Sequence, residues 1–153
     1  MFFGQTYIEE SKKKDWADDG IGTTANMIAH MVKYESDKQK HKQSSSWSKT
    51  ILNNYDRLIS NEESVGKGKM NYISAIKKEY NGKILSGVNT RLKKDNTGLK
   101  IDEIPDKFSY ENLTNKDFIA KFLLDNMHNS EIADSLESNG IKVPKKVLDK
   151  CDR

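Results

Sequence analysis

Residues 46–59 read Ser-Trp-Ser-Lys-Thr-Ile-Leu-Asn-Asn-Tyr-Asp-Arg-Leu-Ile, and this stretch decides the fold class. Trp47, Ile51, Leu52, Tyr55, Leu58 and Ile59 recur every three or four residues, the spacing that places apolar side chains on one stripe of an α-helix. No strand pattern of alternating residues fits them. Upstream, Met27, Ile28, Met31 and Val32 repeat in the same way and predict a helix from about Thr24 to Lys40, capped by Thr23 or Thr24. The polar run from Asp37 to Ser46 reads as a loop between the two.

Downstream, the glycines and charges of Glu62 to Lys69 break the pattern. A third helix is expected over Met70 to Tyr80, stopped by Asn81-Gly82 in a left-handed turn. Ile84, Leu85, Val88 and Leu92 predict a fourth, with Gly87 in its middle as a weakness. Asp95-Asn96-Thr97-Gly98 is a turn. Leu99 and Ile101 alternate as in a short strand, although nothing obvious pairs with it. Thr114, with Asp117 three residues on, resembles a capping box ahead of Phe118, Ile119, Phe122, Leu123 and Met127. Ser130 to Ser138 and Pro144 to Lys150 complete the helical reading.

The chain is therefore read as all-α, a small bundle of six to eight short helices in a single domain spanning 1–153. Within it, a basic helical core (1–98) and a three-helix unit (114–153) are joined by 99–113. Glu131-Ile132-Ala133, Leu136, Gly140 and Ile141 resemble the second helix and turn of helix-turn-helix proteins, with Lys142, Lys145, Lys146 and Lys150 on the following helix. The resemblance implies DNA binding. The long turn, Pro144 at the start of the third helix and the lack of Arg, Asn or Gln there depart from that pattern, and a plain packing unit accounts for the same residues.

Several classes fall away. No apolar run approaches the roughly 18 residues of a membrane span, and the amino terminus lacks a secretory pattern. Cys151 is the single cysteine, so no internal disulfide forms. A reducing, cytoplasmic setting is expected. His30, His41 and His128 stand apart from other ligand types, so no metal and no cofactor is expected. Val65-Gly66-Lys67-Gly68-Lys69 lacks the spacing of a phosphate-binding P-loop. Asp15, Asp18 and Asp19 around Trp16 form an acidic cluster with the chemistry to bind a cation, read in preference as a solvated loop, and Trp16 is read as an interface anchor or a staple for the amino-terminal arm.

Charge is where function shows. The 153 residues carry a net charge of only +3, but it divides into −2 over 1–29, +8 over 30–100 and −3 over 101–153. Such segregation is what an electrostatic binding surface produces, and lysines that solvate the outer faces of amphipathic helices or pair with the acidic flanks produce it as well. The expected function is a nucleic-acid-binding accessory protein, DNA or RNA, with phosphate contacts from Lys38, Lys40, Lys42, Lys67, Lys69, Lys77, Lys78, Arg91, Lys93 and Lys94. Ser44 to Ser46, Asn53, Asn54 and Asn71 would add neutral donors. A protein-binding inhibitor or adaptor is the second reading, for example a phage or mobile-element blocker of a nucleic-acid enzyme, or an immunity protein with an acidic partner. A metal-independent nuclease or toxin, using an isolated histidine, is the third. No nucleophile–base pair or paired carboxylates appear, so an enzyme is not the favoured expectation.

Overall fold

Helix α1 (Phe2–Glu35) is the longest element of the protein, whose computed structural model describes residues 2–36 and 44–126, with side chains over 16–36 and 49–126 apart from Leu124. It begins 22 residues before the expected start at Thr24. The Thr24 hydroxyl does not cap; it donates to the Gly20 carbonyl at 2.7 Å, one turn back inside a continuous helix. Gly20, Gly22 and the charges of residues 9–19 hid this extension, because they dilute the apolar stripe. The helix stops at Glu35 rather than Lys40. Trp16, Ala17 and Ile21 pack on the core, so the Asp18–Asp19 pair lies on a helix and not in a loop.

Helix α2 (Ser44–Val65) starts two residues before the expected Ser46. Ile51, Leu52 and Leu58 are fully buried and Tyr55 is partly buried, as their stripe requires; Trp47 lies outside the residues with described side chains. The helix runs antiparallel to α1, since Asp19 meets Arg57 and Asn61 while Asn26 and Asn54 flank one groove. Gly66, at φ +59°, ends it in the left-handed conformation that glycine tolerates best.

After a single 3-10 turn come α3 (Lys69–Lys78) and α4 (Leu85–Lys94), joined by a π-helical turn over Tyr80–Ile84. The expected left-handed stop at Asn81-Gly82 does not form. Instead Ile84 N–H donates to the Glu79 carbonyl at 2.9 Å, five residues back, and the helix resumes. Both α3 and α4 lie along α1 and run in the same direction as it. Gly20 abuts Tyr72 and Ile76, Gly87 abuts Ala25, and Lys33 bonds Asp95 at 2.8 Å. Gly87, a weakness for an isolated helix, is here a contact point: a Cβ at this position would stand 3.0 Å from that of Ala25.

The turn at 95–98 is present, with Asn96 at φ +54° and Gly98 at φ +72°. No strand follows it among the described residues. Ile101 is instead gripped by the side chain of Asn89, whose amide donates to the Ile101 carbonyl and accepts from its N–H, both at 2.9 Å. One asparagine thus does for Ile101 what a neighbouring strand would. The chain then returns along α4 and α3. Tyr80 donates to the Phe108 carbonyl at 3.0 Å, and Lys77 meets Glu111.

Helix α5 (Tyr110–Leu113) is a single turn capped by Ser109, and α6 (Lys116–Asn126) closes the described fold. The cap of α6 is Asn115, not Thr114: its Oδ1 accepts from Asp117 N–H at 2.9 Å and Phe118 N–H at 3.2 Å. Thr114 turns back to the Tyr110 carbonyl. Phe122 packs against Tyr34, Phe108 and Phe118, with ring centroids 5.8–6.4 Å apart, so α6 and the returning segment share the core of the helices before them. Truncating such a ring to alanine costs about 3–5 kcal/mol. All-α architecture is thus observed, with five helices of ten residues or more among the described residues. The expected total of six to eight and the helix-turn-helix-like unit depend on residues 127–153, outside the described residues.

Candidate functional site

The expected phosphate-binding residues are not on one surface. Lys38, Lys40 and Lys42 lie outside the described residues. Lys69 approaches Glu62 at 3.8 Å and Lys77 is paired with Glu111, so these two are partly compensated from within. Lys67, Lys78, Lys93 and Lys94 are exposed and make no ion pair among the described residues. Arg91 parts company with its neighbours. Two residues along a helix is a rotation of about 200°, so Arg91 and Lys93 face opposite sides of α4.

Tyr72, Ile76, Val88 and Leu92 turn inward towards α1. The faces opposite them therefore point to the same outer side of the bundle. On it lie Lys67, Ser74 and Lys78 of the α3 region, and Lys83, Ser86, Thr90, Lys93 and Lys94 of the α4 region. Residues 66–100 hold nine basic and two acidic residues, and one of the two, Asp95, is engaged by buried Lys33. Between α4 and the 96–100 loop is an open groove of about 800 Å³, lined by Ser86, Asn89, Thr90, Lys93, Asn96, Gly98, Leu99 and Lys100. No carboxylate lines it. Lys83 and Lys100 extend the basic surface beyond the set expected from sequence.

A second groove lies on the other side of α4. Asp19, Gly22, Thr23, Asn26, His30 and Lys33 follow one another at helical spacing and form a polar stripe on α1. Arg57 and Asn54 flank it from α2, and Arg91 from α4, around a volume of about 330 Å³. Arg57 grips Asp19 with both arms of its guanidinium, the Nε donating at 2.8 Å, and Asn61 donates to the same carboxylate at 2.8 Å. These bonds hold the Asp19 pKa below the ordinary carboxylate value. His30 donates from Nδ1 to the Asn26 carbonyl at 2.8 Å, and burial pushes its pKa down, so the ring is neutral at pH 7. Asn54 Nδ2 is enclosed with no hydrogen-bond partner.

Between α2, α3 and α5 sits a third polar cluster. Tyr110 donates to Glu62 at 2.7 Å, and burial drives its pKa far upward. The Tyr72 hydroxyl is buried without a partner, its pKa pushed up to about 12 by desolvation. Tyr110 also lines a small pocket of about 220 Å³ between α3 and the 104–111 segment. Among the described residues no three His, Cys, Asp or Glu side chains converge as metal ligands, and no helix is long and apolar enough to cross a membrane.

The sequence reading missed the α1 stripe because it placed the helix start at Thr24. Asp19, Gly22 and Thr23 fit the same three-and-four spacing as Asn26, His30 and Lys33, and that was the available signal. Compared with protein-family models, curated proteins and solved structures, the chain matches none significantly.

Proposed function

We propose that the protein binds nucleic acid through the sugar-phosphate backbone, using the outer face of α3 and α4. The observation that carries this reading is the groove beside α4, where Lys93 and Lys100 stand among hydroxyl and amide side chains with no carboxylate in the lining. Ammonium groups so placed neutralise phosphates and release counterions, while Ser86 and Asn96 supply neutral contacts. The ordinary alternative for exposed lysines is a solvated helix face, in which acidic residues are usually interspersed. Here they are scarce.

Fluorescence anisotropy with labelled single-stranded and duplex oligonucleotides tests the reading. Lys93→Glu/Lys94→Glu should weaken binding about tenfold or more and lower the slope of log K against log salt by roughly 2. Lys116→Glu/Lys121→Glu on α6 should change affinity less than about threefold, since that surface lies apart from the groove. Equal losses from both pairs, or no anisotropy change with the unaltered protein, would overturn it.

A further inference from the structure

We infer that the groove between α1, α2 and α4 is a separate binding site for a phosphate group, held between Arg91 and Asn54 above Gly22. The site is independent of the outer lysine face, because Arg91 projects to the other side of α4 from Lys93.

Four observations converge on it. Arg91 carries five N–H donors. One of them, on Nη1, goes to the Gly87 carbonyl at 3.1 Å, and no carboxylate pairs with the guanidinium among the described residues. Asn54 lines the groove, and its amide nitrogen is enclosed with no acceptor, a state that costs about 1–3 kcal/mol and that a turn of the side chain towards a bound oxyanion relieves. Gly22 forms part of the floor, and a Cβ built on it meets nothing within 4 Å, so the room is real. Asn26 and Thr23 line the same volume and add hydrogen-bonding groups. A guanidinium fork beside neutral donors is a chemistry suited to a phosphate, which offers several acceptor oxygens in a compact charge.

Two carboxylates, Asp18 and Asp19, line the same groove. Asp19 is already neutralised by Arg57 and further bonded by Asn61. Asp18 lines the groove one turn before Gly22, about 6 Å along the helix axis, and on the far side of it from Asn26. The groove is therefore polarised, with an oxyanion end at Arg91 and Asn54 and an acceptor end at Asp18. The phosphate's remaining substituent, where there is one, runs towards Asp18.

The experiment is an NMR titration of the ¹⁵N-labelled protein with inorganic phosphate, against chloride at matched ionic strength. The Gly22 amide and the Asn54 side-chain amide should shift saturably with phosphate and not with chloride. Arg91→Gln should abolish the shifts, and Arg91→Lys should weaken them by about fivefold or more through loss of the fork. Gly22→Leu fills the groove where space is free, so it should abolish phosphate binding while the protein stays folded. Lys93→Glu/Lys94→Glu should leave the phosphate response intact, which separates this site from the outer face. Shifts that are linear with phosphate, centred on Lys93, or unchanged in Arg91→Gln and Gly22→Leu would overturn the inference. A nucleoside monophosphate as second probe distinguishes the source: added shifts near Asp18 mark a nucleotide, and their absence marks free phosphate.

Discussion

Two glycines on α1, two residues apart, do opposite work. At Gly20 the helix is pressed against α3 so closely that a Cβ would come within 2.6 Å of Ile76 Cδ1 and 2.7 Å of the Tyr72 oxygen. At Gly22, about 200° around the same helix, a Cβ would meet nothing. The missing side chain buys closeness on one side and space on the other. A glycine within a helix therefore says nothing by itself; the neighbours decide whether it is a packing device or a cleft.

The sharpest way to break this comparison is Gly20→Val. It should cost about 3 kcal/mol by overpacking a buried contact, read as a lower urea midpoint at unchanged slope. Gly22→Ala should go the other way, raising stability by about 0.5–1 kcal/mol, because alanine restores helix propensity and clashes with nothing. Equal losses at both positions would erase the distinction between the two sides.

The smallest expected effect is on pH and belongs to the polar side alone. Burial holds the folded His30 pKa below 6.5, so the unfolded chain takes up a proton first as pH falls. Stability should decline from about pH 6.5 downward through the folded pKa. His30→Gln should remove that part of the decline. Asp19, also held below its ordinary value, adds stability that persists to lower pH and is lost only as its own folded pKa is passed. Urea midpoints measured from pH 7.5 to 4.5 show whether the His30 component exists.

Much of this architecture was legible from periodicity. The α2 stripe, the apolar face of α6 and the turn at 95–98 depend on local spacing, and local spacing survives folding. What could not be read were the features that depend on a neighbour. Ile101 has its backbone groups satisfied without a partner strand because Asn89 holds both of them, and α6 begins one residue late because Asn115 caps it in place of Thr114. The long reach of α1 was hidden in part by Gly20, whose partners Tyr72 and Ile76 lie 52 and 56 residues away in sequence. The candidate lysines were legible as residues but not as a surface. Lys77 is paired with Glu111, 34 positions on, while Arg91 and Lys93 are divided by nothing more than the pitch of α4.

The π turn at 80–84 makes that division a matter of chain length. It is one residue more than an α-helical path would use between α3 and α4. A single-codon deletion within it would let residues 69–94 wind as one regular helix and swing everything beyond by about 100°. Gly87 would leave Ala25, Lys33 would lose Asp95, and Arg91 would turn out of its groove. In genetic terms the segment should accept substitution far more readily than any change in length. The arrangement of both grooves is thus written partly in the reading frame's count of residues, not only in their identities.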